Sequence, residues 1–141
     1  MTLVVDASVV VKWLLSDPVK EADSERAVAL MQHVLKGRLR ALQPVHWLVE
    51  VAAALARLSP SSAETDVAKL RALEIPTDDS PHVLGRACRL AIDLEQHVFD
   101  TLYHALALET PDATLVTADA RYLAQAAGLG RITALRDWSP T

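Results

Sequence analysis

A chain of 141 residues, 51% of them hydrophobic, is predicted to form one domain, residues 1–141, with an ordinary buried core. Its formal net charge of −4 argues against nucleic-acid binding through a strongly positive surface, and its one cysteine excludes an internal disulfide or a thiolate zinc cluster. The chain has neither an N-terminal targeting pattern nor an apolar run of the roughly 18 residues that a membrane helix needs. We therefore expect a cytoplasmic protein without a membrane partner.

Short apolar runs alternate with amphipathic helical patterns along the chain. In chain order, we predict a strand at Thr2–Val5, a helix at residues 8–15, a helix within residues 18–37, a strand at residues 38–43, helices at residues 44–58 and 61–73, a short strand at residues 75–77, helices at Pro81–Leu94 and Val98–Glu109, a strand at Ala113–Thr117, a helix at residues 120–127 and an edge strand at residues 131–134. Ser8 and Ser80 are expected N-caps, and Ser61 and Glu64 have the spacing of a capping box. Gly37 is expected to end the second helix.

This alternation of strands and helices predicts an α/β fold, with a mostly parallel central sheet between two helical layers. In such sheets, functional groups gather beyond the carboxyl ends of the strands. Asp6 directly follows the first strand, and Asp119 follows the strand Ala113–Thr117 after one intervening residue. We therefore expect these two carboxylates at the same edge of one sheet.

Two further acids lie on predicted helices without a local basic partner. Glu50 stands at the edge of an apolar stripe, and Asp100 stands early in a strongly apolar helix. No Lys or Arg lies three or four residues from either acid. Each acid alone has a structural explanation, since a glutamate stem can pack on the core and the helix dipole favours an acid in the first turn.

Taken together, the four acids predict a metal site. Clustered carboxylates that are half-buried repel one another unless a positive charge neutralises them. Mg²⁺ supplies that charge through oxygen ligands, and Mn²⁺ is expected to substitute for it. The histidines lack zinc spacing, and His97 and His104 are expected to face solvent or to pack. The predicted ligands are Asp6, Glu50, Asp100 and Asp119.

The four acids lie in the segments VVDASVVVKWLL, LVEVAAAL, VFDTLYHALAL and LVTADARY. In this order the segments resemble the PIN-domain ribonucleases, specifically the VapC toxins of bacterial toxin–antitoxin pairs. The resemblance implies a PIN-like three-layer α/β/α sandwich and an endoribonuclease that hydrolyses RNA phosphodiester bonds with a metal-activated water. It also implies that Ser8 and Thr117 help to orient a ligand or a water. Thr101 departs from the family pattern, in which alanine often follows the third acid.

The resemblance further implies partners. These are an RNA substrate, a second copy in a homodimer, and a cognate antitoxin that covers or enters the site; many antitoxins insert a basic side chain among the acids. We place partner docking on the helices within residues 17–40 and 61–73. Lys12 and Arg121 are candidates for phosphate contacts or ordinary surface charges. Trp13 and Trp47 fit core packing better than base stacking.

Three other functions compete with this interpretation. A receiver-type Mg²⁺-binding signalling domain needs an acidic pair after its first strand and a lysine near a late strand, whereas Asp6 is single and no lysine lies near Asp119. A haloacid-dehalogenase-type phosphatase needs Asp-x-Asp, and Asp6-Ala7-Ser8 lacks the second acid. A catalytically silent PIN-fold binding partner stays open, although the presence of all four acids counts against it.

Overall fold

A computed structural model describes residues 1–15 and 22–140 of the chain. The strands are β1 (Thr2–Val5), β2 (Arg40–Ala41), β3 (Gln43–Pro44), β4 (Thr77–Asp78), β5 (Ala113–Thr117) and β6 (Ile132–Ala134). The helices are α1 (Ala7–Leu15), α2 (Ser24–Leu35), α3 (Trp47–Leu58), α4 (Ala63–Ala72), α5 (Pro81–Leu94), α6 (Val98–Glu109) and α7 (Ala120–Ala126). Residues 18–21 of the span 18–37, in which we predicted a helix, lie outside the described residues.

The structure confirms the predicted mixed α/β class. Its central sheet has four parallel strands in the order β2-β1-β5-β6, and the arrangement is a three-layer α/β/α sandwich. β1 and β5 are direct neighbours, with Val5 opposite Val116, so the chain leaves both strands at the same edge of the sheet. Among the helices that the structure describes, none combines the length and hydrophobicity that crossing a bilayer requires.

Residues 38–43 do not form the single strand that we predicted. Arg40–Ala41 pairs with β1, whereas Gln43–Pro44 pairs in parallel with Thr77–Asp78 as a separate two-stranded sheet. Because this second pairing holds Pro44 in β3, the proline does not open a helix, and α3 begins only at Trp47. The strand predicted at residues 75–77 is observed instead as β4, Thr77–Asp78, because these are the residues that pair with Gln43–Pro44.

Two predicted N-caps are wrong. α1 begins at Ala7, so Ser8 lies inside the helix, and the Asp6 side chain accepts the Ser8 N–H instead. α4 begins at Ala63 with Ser62 as the residue before it, so Ser61 and Glu64 do not form the predicted capping box, and the Ser62 hydroxyl contacts Ser59 rather than a helix N–H. The short side chains that could cap a helix here satisfy nearer polar groups instead.

Three other helix boundaries are as predicted. Ser80 precedes α5 with a proline at the first helical position. Gly37 has a φ of 72° and its N–H donates to the Val34 carbonyl, so it ends α2 in the left-handed conformation that glycine adopts without strain. His97 immediately precedes α6, which has the predicted bounds.

The core confirms the packing predicted for two residues. Trp47 is buried in it, and Trp13 packs against it while partly exposed. His104 is fully buried in α6; its Nε2 lies 2.8 Å from the Gly130 carbonyl oxygen and its Nδ1 lies 3.0 Å from the Tyr122 hydroxyl. Burial lowers the pKa of this imidazole, so it joins α6 to α7 as a neutral packing residue.

Gln43 continues the hydrogen bonding of β1 beyond the end of β2. Its Oε1 accepts the Val5 N–H and its Nε2 donates to the Val5 carbonyl oxygen, both at 2.8 Å. The residue is 1% exposed, so these backbone groups have no access to water. Since Val5 immediately precedes Asp6, this pair of bonds fixes the backbone that presents the first acid.

We expect Gln43→Ala to lower the free energy of unfolding by about 2–4 kcal/mol, because it leaves a buried N–H and a buried carbonyl of Val5 without partners. Urea denaturation followed by circular dichroism measures this loss. Gln125→Ala, at an exposed position of α7, is the matched control and is expected to change the free energy by less than about 0.5 kcal/mol. Equal losses in the two variants would contradict the role assigned to Gln43.

Candidate metal centre

The four predicted acids line one open pocket at the edge of the sheet where β1 and β5 end. Asp6 follows β1, and Asp119 follows β5 after one residue. Glu50 lies in the first turn of α3, and Asp100 lies in the first turn of α6. The fold therefore brings together all four carboxylates from four separate parts of the chain.

Asp6 is the most buried of the four acids. Its Oδ2 accepts hydrogen bonds from the Ser8 N–H at 3.0 Å and the Ser8 hydroxyl at 2.5 Å. Burial is the main cause that raises its pKa to about 6; the bonds from Ser8 oppose the rise, and the charges of Glu50 and Asp100 add to it. The protein therefore keeps this carboxylate where its negative charge is unfavourable.

Ser8 and Thr117 hold the two strand ends in place. The Ser8 Oγ accepts the Ala118 N–H at 3.0 Å, which joins the start of α1 to the loop after β5. The Thr117 Oγ1 accepts the Asp119 N–H at 3.0 Å. Asp119 in turn caps α7, where its Oδ1 accepts the Tyr122 N–H at 3.0 Å. Both hydroxyl side chains thus orient the backbone that carries an acid.

Glu50 has a neighbour that a search for Lys and Arg alone misses. The His46 Nε2 lies 3.0 Å from the Glu50 Oε2 and 2.7 Å from the Phe99 carbonyl oxygen. An imidazole Nε2 carries at most one hydrogen, which the Phe99 carbonyl oxygen accepts, and the buried Glu50 Oε2 has no hydrogen-bond partner among the described residues. The sequence signal for this contact is the four-residue spacing, which places both side chains on one helix face.

Burial and neighbouring acids also raise the pKa values of Asp100 and Tyr103. Burial raises the pKa of Asp100, and the charges of Glu50 and Asp119 raise it further. Tyr103 is fully buried, and its hydroxyl has no hydrogen-bond partner among the described residues. Burial raises the pKa of that hydroxyl, as do the charges of Glu50, Asp6 and Asp100. A concentration of negative potential therefore extends from the pocket into the core.

The donor set suits a hard divalent cation, although its present geometry is not that of a closed site. Within residues 1–15 and 22–140, no three His, Cys, Asp or Glu side chains are placed so that they could hold a metal ion. Protein donors engage one oxygen of Asp6 and one of Asp119, and Glu50 lies against His46. Mg²⁺ or Mn²⁺ would neutralise Asp6 and Asp100, whose pKa values are raised by burial and by neighbouring acids, and the Glu50 oxygen that lacks a hydrogen-bond donor.

Three basic side chains lie near the acids. Lys12 of α1 and Arg57 of α3 line the same pocket, and Arg121 lines an adjacent pocket that Asp100 and Asp119 also border. Arg57 is absent from the sequence-based candidates. Its signal is its position seven residues after Glu50, which places both on one face of a helix. The lining of the pocket thus includes positively charged side chains as well as the acids.

No model of a known protein family matches this chain, and no curated protein matches it either. The likeness to PIN-domain ribonucleases therefore rests on the four acid-bearing segments. The geometry adds an observation that is independent of that likeness, namely that all four acids line one pocket.

Proposed function

We propose that this protein is a divalent-metal-dependent endoribonuclease of the PIN-domain, VapC-toxin type. The observation that carries the proposal is the convergence of four carboxylates from separate elements on one pocket, where burial and mutual repulsion raise the pKa of two of them. Such an arrangement destabilises the fold at neutral pH unless a cation is bound, and perturbed acids in a cleft are typical of functional sites.

The chain's own residues would hold the cation and keep its ligands in position. Asp6, Glu50, Asp100 and Asp119 are the proposed ligands. When bound, Mg²⁺ or Mn²⁺ supplies an activated water and stabilises the charge that develops on the phosphate oxygens. Ser8 restrains one oxygen of Asp6, and Tyr122 restrains one of Asp119. The second oxygen of each of these two acids, Asp6 Oδ1 and Asp119 Oδ2, makes no hydrogen bond within the described residues and is available to a cation.

The substrate and partners belong to the same proposal. RNA is the proposed substrate, and Lys12 and Arg57, which line the same pocket as the acids, are the proposed contacts to its phosphates. A homodimer and an inhibitory antitoxin protein that enters the acidic pocket are the proposed protein partners. They follow from the resemblance to VapC toxins.

Cleavage of total cellular RNA by the purified protein tests the proposal, with Mg²⁺ or Mn²⁺ compared with EDTA. We expect discrete products in the presence of metal and none in EDTA. We expect Asp6→Asn to slow cleavage by at least about 100-fold, since even the residues behind metal ligands contribute 10- to 100-fold. Asp93→Asn, an exposed acid of α5, is the control that should cleave normally. Equal cleavage by Asp6→Asn and the wild type would place the site elsewhere.

The contacts that the carboxylates already make with protein groups favour one alternative, a PIN-fold binding partner without catalytic activity. In the described part of the chain no three of the acids are arranged to hold an ion, and protein donors occupy one oxygen of Asp6 and one of Asp119. This alternative predicts that no metal elicits cleavage from a protein whose circular dichroism spectrum is that of a folded chain. The receiver-domain alternative gains no support, since the lysine at the pocket comes from α1 rather than from a late strand.

A further inference from the structure

Phe99 is the only phenylalanine of the chain, and it is 65% exposed even though it immediately precedes Asp100. Single exposed apolar residues are common on protein surfaces and need no special explanation. Phe99 differs from them because His46 contacts both its ring and its backbone, and because the next residue, Asp100, lines the acidic pocket.

The His46 ring supports one face of Phe99. The two ring centroids are 5.6 Å apart with an angle of 21° between the planes, so the rings are stacked. The His46 Nε2 also lies 2.7 Å from the Phe99 carbonyl oxygen, and the imidazole contacts the buried Tyr103 ring in a tilted arrangement, with 4.9 Å between the ring centroids. Phe99 therefore rests on a braced imidazole and presents the rest of its ring to solvent.

The position of this stacked pair relates it to the acids. His46 lies between Phe99 and Glu50, since its ring stacks on the former and its Nε2 lies 3.0 Å from the Oε2 of the latter. The backbone of Phe99 continues directly into Asp100, which lines the pocket. The Phe99 ring is thus separated from Glu50 by the His46 ring, and its backbone is joined directly to Asp100.

We propose that Phe99, backed by His46, is a stacking platform for an unpaired base of the RNA beside the phosphate that is cut. This inference rests on the proposed nuclease function. An aromatic ring with one open face suits any nucleobase, because each base has a π-face, and it requires a single-stranded segment whose bases are free. Trp13 and Trp47 pack in or against the core, so Phe99 is the aromatic ring exposed beside the acids.

The test is binding of a short single-stranded RNA that carries the fluorescent base 2-aminopurine at successive positions, with Ca²⁺ in place of Mg²⁺. In the wild type we expect one position to be quenched by stacking. Phe99→Ala is expected to weaken binding by about tenfold and to remove that quenching. Phe99→Trp is expected to keep both within about twofold, whereas Phe99→Leu, which is apolar without a π-face, should resemble the alanine variant.

Ile92→Ala is the matched control, because Ile92 on α5 is 75% exposed and does not line the acidic pocket. It should bind and quench as the wild type does. Wild-type binding and quenching by Phe99→Ala, or loss of both in Phe99→Trp, would overturn the platform while leaving the nuclease proposal intact if the protein still cleaves RNA. A wild-type protein that neither binds nor cleaves RNA would overturn both.

Discussion

Asp100→Asn is expected to abolish the rise in melting temperature that Mn²⁺ causes in the wild-type protein. A ligand present at 100 times its dissociation constant stabilises the folded state by about 2.7 kcal/mol, which for a domain of this size corresponds to roughly 8 °C. The asparagine removes the charge of one proposed ligand, so the shift should fall below about 2 °C. Thermal unfolding by circular dichroism, with Mn²⁺ and with EDTA, measures both shifts.

The quantity compared is the shift for each protein, and not its absolute melting temperature. Burial and the charges of Glu50 and Asp119 raise the pKa of Asp100, so removing its charge is expected to stabilise the metal-free protein. Asp93→Asn, on the exposed side of α5, should show the full wild-type shift. A full shift in Asp100→Asn would remove Asp100 from the site, and no shift in the wild type would contradict the metal centre itself.

Asp6→Asn is expected to stabilise the metal-free protein at neutral pH while it removes activity. The folded chain keeps a proton on Asp6 up to a pKa of about 6, whereas the unfolded chain releases it near the ordinary value of 3.8. Holding this carboxylate ionised in the fold therefore lowers the free energy of unfolding by about 3 kcal/mol above pH 6. Asparagine avoids this penalty but loses part of the bonding to Ser8, so we expect a net gain of about 1–3 kcal/mol at pH 7.

The pH dependence distinguishes this explanation from a simple change in packing. Between pH 4 and pH 6 the folded chain binds more protons at Asp6 than the unfolded chain, so the contribution of Asp6 to wild-type stability falls as the pH rises and is constant above pH 6. The difference between Asp6→Asn and wild type should therefore be small near pH 4 and widen to its full value by pH 7. Urea titrations in EDTA across this range measure it.

His104 affects both proteins equally in this comparison. Burial lowers the pKa of its imidazole, so unfolding takes up a proton below the ordinary pKa of 6.5 and both proteins lose stability in acid. This contribution cancels in the difference between the two proteins. A difference that stays constant from pH 4 to pH 7 would contradict an unfavourable buried charge at Asp6.

The penalty at Asp6 explains why the acids are better understood as a functional cluster than as four separate surface groups. An ordinary N-cap aspartate is stabilising because its charge meets the N–H groups of the first helical turn while water solvates the rest. Asp6 has the cap bonds from Ser8, but it also has burial and neighbouring acids that outweigh them. The concentration of negative charge around Asp6 thus lowers the free energy of unfolding of the metal-free protein.

Elements whose signals are local are predictable from the amino-acid sequence. The bounds of α6 and β5 match the prediction, because a long apolar helix that follows a break and a five-residue β-rich run are both recognisable from neighbouring residues. The position of Asp6 and Asp119 at one sheet edge followed from parallel strand order, which the alternation of strands and helices dictates. Glu50 and Asp100 were predicted from their lack of a basic partner in an apolar helix.

Features that depend on groups far apart in the chain are visible in the folded protein and not in the sequence. Gln43 leaves the expected strand because its side chain bonds to Val5, 38 residues earlier, and its backbone pairs with β4. His46 reaches the Phe99 carbonyl across 53 residues, and that contact determines how Glu50 is held. Local patterns record the propensity and amphipathicity of a segment. They carry no information on which distant polar group satisfies a buried donor, because that pairing exists only once the helices have packed.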